Sequence, residues 1–112
     1  MWINSLNLDN GEVYINNLGQ DLKNGIIIGK VIDYLQPGLV DFKKFSTKNN
    51  RIQMINNGTY AIELAKKLGC HIVGIGGMDI VDGKKKLLFA ILWQLMRHDI
   101  QKVWISNKYY YY

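Results

Sequence analysis

One cysteine, one proline and two arginines among 112 residues are the scarcities that narrow this chain first. Cys70 stands alone, so no internal disulfide can form and nothing in the sequence calls for an oxidising compartment. Pro37 is the only proline, which lets helices run long and leaves the punctuation to glycine and asparagine, eleven of each. No apolar run reaches the roughly 20 residues of a membrane helix. The basic-then-apolar start of a secretory leader is missing as well. A cytoplasmic protein that does not enter the membrane is the expectation.

The shortage of arginine qualifies a basic balance. The formal net charge is +5, with twelve lysines against two arginines. A basic chain suits an acidic partner: nucleic acid, an anionic membrane or an acidic protein surface. Nucleic-acid readers draw on arginine for bidentate contacts to bases and phosphates, so nucleic acid is not the expected partner. Lysine, asparagine and tyrosine also share AT-rich codons, a second source of the bias.

With 48% hydrophobic residues, the chain has material for one core and one domain. Trp2 to Leu6 reads as the tail of a helix whose beginning is missing, and Asp9-Asn10-Gly11 as a turn. Asn17 to Leu35 reads as one helix stopped by Pro37-Gly38. A lysine-rich loop with Phe42 and Phe45 follows, with room for one short helical turn. Arg51 to Leu68 is a second helix, closed by Gly69. Val73 to Met78 is irregular, and Asp82 to about Val103 is the third long helix. Glu12–Ile15 and His71–Val73 could be extended but have no convincing hairpin partner. The expectation is an all-α domain over residues 1–106, three long core helices joined by short ones, and a low-complexity end at 107–112.

At 100° per residue the last helix sorts into faces. Leu87, Leu88, Ile91, Leu92 and Leu95 make a broad apolar face for the core. Lys86, Ala90, Gln94, Arg97 and Gln101 make a polar stripe, and Phe89, Trp93, Met96 and Ile100 a flank between them. Across the chain, Trp2, Leu22, Ile26, Val31, Ile32, Tyr60, Leu64, Leu88, Leu92 and Leu95 are expected in one cluster. Trp93 has two readings: packed half-buried on its own domain, or rimming an interface beside Lys86 and Arg97. Lys84, Lys85 and Lys86 follow Asp82, read as the N-cap. They sit where the helix dipole disfavours cations. Either they are a solvated charge run or an acidic partner offsets the local cost.

Four blocks in this order resemble the calponin-homology family. Asp82-Gly83-Lys84-Lys85-Lys86-Leu87-Leu88 with Trp93 is similar to that family's D-G-N-x-K-L-x-L-x-L-I-W helix. Trp2-Ile3-Asn4-Ser5-Leu6 is similar to its W-I-N-S-L. Asp21-Leu22-Lys23-Asn24-Gly25 with the apolar residues to Leu35 is similar to its D-L-x-D-G helix. Asn57, Tyr60, Ala61, Glu63 and Leu64 match its N-x-x-Y-A-x-E-L. The text V-G-I-G-G-x-D and W-Q-L-M-R most resembles the third repeat of the fimbrin (plastin) branch. Lys84 departs from the family's asparagine after D-G.

The resemblance implies the calponin-homology fold with a truncated first helix. It also implies a non-catalytic, actin-binding domain from an actin-bundling cytoskeletal protein. Its partners would be actin filaments and a neighbouring calponin-homology domain, and its contact residues Lys84, Lys85, Lys86, Trp93 and Arg97. The alternative is a lone calponin-homology module that docks proteins in signalling or scaffolding without actin affinity. Microtubule-end binding fits the fimbrin-like text less well.

Other constellations carry little. Gly74-x-Gly76-Gly77 lacks the G-x-G-x-x-G and Walker patterns, and suits a tight turn. Asp79 and Asp82 lack the ligand alternation of a calcium loop. Cys70 and His71, with His98 remote, give neither metal-ligand spacing nor a triad. Asn57-Gly58-Thr59 matches a glycosylation sequon only by pattern, and Asn57 is expected to bond loop backbone. No enzyme, cofactor or metal is expected.

Overall fold

The computed structural model describes the backbone of residues 2–110 and the side chains of residues 2–100. Six helices appear in order: α1 (Trp2–Ser5), α2 (Leu18–Asp21), α3 (Ile26–Leu35), α4 (Arg51–Leu68), α5 (Gly77–Val81) and α6 (Lys85–Tyr110), with 3-10 turns at Leu8–Gly11 and Phe42–Lys44. Among the described residues there is no strand. The all-α expectation therefore stands, with α3, α4 and α6 as the long elements.

Local chemistry sets the ends. Asn50 caps α4 by accepting the Gln53 N–H at 2.9 Å, and Gly69 closes it at φ 109°. Near the N-terminus, Asn7, Asp9 and Asn10 all take left-handed backbone. Asparagine and aspartate bear that conformation more readily than most residues.

Two helix boundaries differ from the sequence reading. The single helix expected over Asn17–Leu35 is two helices. Gly25, at φ 76°, breaks it, and its backbone lies so close to α4 that a Cβ there would stand 2.9 Å from the carbonyl carbon of Asn57. Asp82 does not cap the last helix. It closes α5, and Leu88 N–H bonds to the Lys84 carbonyl, so α6 begins with Lys85. No glycine or proline follows Gly83, and α6 runs on past Val103 to Tyr110. The side chain of Gln101 and the last two tyrosines of the expected low-complexity end lie outside the described residues.

The core is one cluster. Leu22, Val31, Ile32, Leu64, Leu88, Leu92 and Leu95 are buried in it, while Trp2, Ile26 and Tyr60 pack against it partly buried. Ile3, Ile28 and Ile80 are buried alongside them. Burying each such side chain contributes roughly 1.5–3 kcal/mol.

Helix α5 reaches this core by lying directly on α4. A Cβ on Gly77 would overlap the Ile55 carbonyl oxygen and stand 2.6 Å from Thr59 Oγ1. Only two bare glycines, Gly58 and Gly77, let the backbones meet this closely.

The segments between helices have no sheet to satisfy them, and three side-chain amides take its place. Asn4 accepts the Ile15 N–H at 2.6 Å and donates to its carbonyl at 3.1 Å. Asn57 does the same to Ser46, both at 2.8 Å, and Gln94 to His71, both at 2.6 Å. Each amide presents a donor and an acceptor side by side, as a neighbouring strand would. The two stretches read as extended, around Ile15 and His71, are thus held by single side chains.

Candidate functional site

The exposed side of α6 is where the site expectations converge. Leu88, Ile91, Leu92 and Leu95 are buried, and Leu87 is half-buried. The opposite arc of the helix holds Lys86, Phe89, Trp93, Arg97 and Ile100, all exposed. Trp93 is 59% exposed, Phe89 54% and Ile100 56%. That exposure leaves both readings of Trp93 open: part of the ring is covered by its own domain, and more than half of it is free to meet a partner. The ring lies one turn before Arg97 and two turns after Lys86. Among the described residues the cation held over a ring is elsewhere: Lys44 Nζ lies 5.3 Å from the centroid of Tyr60.

Beside this arc is an apolar groove of about 360 Å³ lined by Trp2, Ile3, Phe89, Leu92, Trp93 and Met96. Phe89, Trp93 and Met96 lie three and four residues apart, the spacing that puts side chains on one helix face. The sequence gives this flank correctly. What it does not give is that Trp2 and Ile3 of α1 form the groove's other wall.

The three lysines do not act alike. Lys84 precedes the helix and turns back, its Nζ 2.9 Å from Asp79 Oδ1. That hydrogen bond and the Asp79 charge hold the Lys84 ammonium above its ordinary range, with Asp82 adding to the effect. Asp79 is held below the usual carboxylate range, first by the Gly76 N–H at 2.9 Å and then by Lys84. Lys85 and Lys86 occupy the first turn of α6, exposed, and no ion pair engages them among the described residues. Asp82, read as the cap, instead receives Arg51 Nη2 at 2.8 Å, tying the start of α4 to the α5–α6 turn. The dipole conflict expected for three lysines thus falls on two.

At the far end of α4, His98 is not remote. It shares a pocket of about 250 Å³ with Cys70, His71, Gln94 and Arg97. Burial pushes the Cys70 thiol up, away from the reactive thiolate. Among the described residues no three metal-ligating side chains are grouped to hold an ion. Asn57 is 1% exposed and fully engaged with Ser46, so the sequon has no accessible amide.

Comparison with known proteins places these features. Residues 1–101 match the family model of the calponin homology (CH) domain. The chain is 42% identical over 101 residues to Fimbrin-2 of Arabidopsis thaliana, covering 88% of this chain and 15% of that protein. It is 38% identical over 106 residues to fimbrin of Saccharomyces cerevisiae, covering 89% of this chain and 16% of that one. Among solved structures it is similar to the actin-crosslinking core of Schizosaccharomyces pombe fimbrin. The TM-score is 0.82 and the identity 33%, over 91% of this chain and 22% of that one. The chain spans about a sixth of the length of these fimbrins.

Proposed function

This chain belongs to the calponin-homology family, and from that premise we propose that it is an actin-filament-binding domain of a fimbrin-like cross-linking protein of the cytoplasmic cytoskeleton. The observation that carries the reading is the likeness to the fimbrin actin-crosslinking core, over nearly the whole chain and at both sequence and fold level. The domain, taken as residues 1–106, works by binding and not by catalysis. Its contact surface is the start and outer arc of α6: Lys84, Lys85, Lys86, Trp93 and Arg97.

Two physical features support this assignment of roles. Exposed lysines in the first turn of a helix are electrostatically unfavourable in isolation, and an acidic protein surface reverses that sign. The groove at Trp93 is apolar where the lysine surface is charged, so the two suit different partners. The lysines face the filament. The groove receives a neighbouring calponin-homology domain of the same polypeptide, for an exposed aromatic patch marks an interface.

Filament cosedimentation tests the proposal. The chain should pellet with actin filaments in a salt-sensitive way. Joining it to a following calponin-homology domain should raise the affinity more than tenfold, about 1.4 kcal/mol. No pelleting by either form at low salt would leave the chain a protein-docking module without actin affinity.

A further inference from the structure

The lysine surface has a second wall that the sequence does not reveal. Helix α2 crosses the turn between α5 and α6 through two bare backbones. A Cβ on Gly19 would stand 3.1 Å from the Gly83 carbonyl oxygen, and one on Gly83, at φ 67°, 3.2 Å from the Gly19 carbonyl oxygen. This contact brings Lys23, just beyond α2, and Lys85 to the lining of one polar cleft of about 280 Å³. Lys23 and Lys85 are 62 residues apart in sequence, so no local pattern relates them.

The charges around the cleft are unequally satisfied. Asp82 also lines it, but Arg51 engages its carboxylate at 2.8 Å. Asp21, at the end of α2, accepts the Asn16 and Asn17 N–H groups at 2.9 and 3.0 Å. Those two bonds hold its carboxyl below the usual range. Among the described residues, neither Lys23 nor Lys85 has an ion-pair partner. The cleft is therefore bounded by two uncommitted ammonium groups, while the nearby carboxylates are occupied.

We infer that Lys23 belongs to the same contact surface as Lys85, and that the cleft they both line accepts a carboxylate side chain of a protein partner. This rests on the proposed reading, in which that partner is the actin filament. It adds a residue on a different helix, and a shape: a two-sided basic notch where the sequence suggests a linear run.

Lysine footprinting with mass spectrometry tests it on the 112-residue chain at low ionic strength, with and without filaments. Acetylation of both Lys23 and Lys85 should slow when filaments are present, while exposed Lys66 and Lys67 on the far end of α4 stay equally reactive. In cosedimentation, Lys23→Gln should weaken binding about 2- to 5-fold, as loss of one surface ion pair does. Lys23→Glu should weaken it about tenfold, because the notch would then repel a carboxylate. Protection of Lys85 with Lys23 unchanged would overturn the inference and leave the proposed function standing. Absence of both pelleting and protection would remove the proposed function, and this inference with it. Protection of Lys23 by phosphoinositide vesicles but not by filaments would assign the notch to a lipid surface and equally overturn it.

Discussion

The buried amide of Asn57 on α4 holds both backbone groups of Ser46, its Oδ1 accepting the N–H and its Nδ2 donating to the carbonyl, each at 2.8 Å. Next to Ser46, the Phe45 ring covers Gly29, where a Cβ would stand 2.6 Å from the ring. The same ring meets Tyr60 edge-on with centroids 5.1 Å apart. One polar clamp and one aromatic anchor, adjacent in sequence, fix the whole 40–50 loop onto α3 and α4. The domain replaces a sheet with such single-residue attachments.

Removing that clamp should be costly. Asn57→Ala leaves the Ser46 N–H and carbonyl without partners in a part-buried site. A buried group left unsatisfied costs about 1–3 kcal/mol. Urea unfolding should show a lowered midpoint with little change in slope. An unchanged midpoint would mean that water replaces the amide without loss.

Gly77→Ala should destabilise by at least about 1–3 kcal/mol, as forced overpacking does, because its methyl group would overlap the Ile55 carbonyl oxygen and crowd the Thr59 backbone and hydroxyl of α4. Gly74→Ala is an informative companion. A Cβ there meets nothing within 4 Å, and its cost arises from a left-handed φ of 75° alone. Thermal melts that rank Gly74→Ala as the more damaging would contradict the close α4–α5 packing.

Periodicity made much of this structure readable. The buried face of α6 and the flank that carries Phe89, Trp93 and Met96 follow from residues three and four apart, and the end of α4 from its closing Gly69. The break at Gly25 was not readable, since its reason is the α4 backbone pressed against it. The start of α6 is not legible in the same way, because Asp82-Gly83 looks like a cap while the Asp82 carboxylate is drawn 31 residues away to Arg51. His98 and Cys70 are related only in space: Gln94 of α6 holds the His71 backbone, and the segment after α4 thereby shares a pocket with the α6 side chains. Lys23 and Lys85 line one cleft through a glycine contact between α2 and the α5–α6 turn that has no signature in sequence.

Acid should expose the Asp79 contribution. Its carboxyl is held lower in the folded chain than in the unfolded one. The stabilisation is therefore present above the ordinary carboxylate pKa of about 4 and is lost as pH falls through the depressed folded value. Asp79→Asn should flatten the stability profile in that acidic window and leave its shape at neutral pH unchanged. Identical acid profiles for the two proteins would show that the Gly76 and Lys84 bonds are made equally in the unfolded chain.

Trp93→Ala should separate stability from contact. The side chain is 59% exposed, and surface substitutions usually stay within about 0.5 kcal/mol. The melting temperature should move little, while association with a neighbouring calponin-homology domain, measured by titration, should weaken markedly. Undiminished association would release the groove from that role.

The lysine surface is tested most directly by cosedimentation of the 112-residue chain with actin filaments over a salt series, beside a variant carrying Lys85→Gln and Lys86→Gln. Lys84 is left in place because it is already paired with Asp79, so the variant alters contact charge without breaking an internal bond. The wild type should pellet at low salt and release as the Debye length shrinks to about 8 Å and below. The variant should bind less at low salt with a shallower salt dependence, and should melt no lower, since two cations leave the positive end of a helix. Equal binding by both proteins across the series would contradict the account.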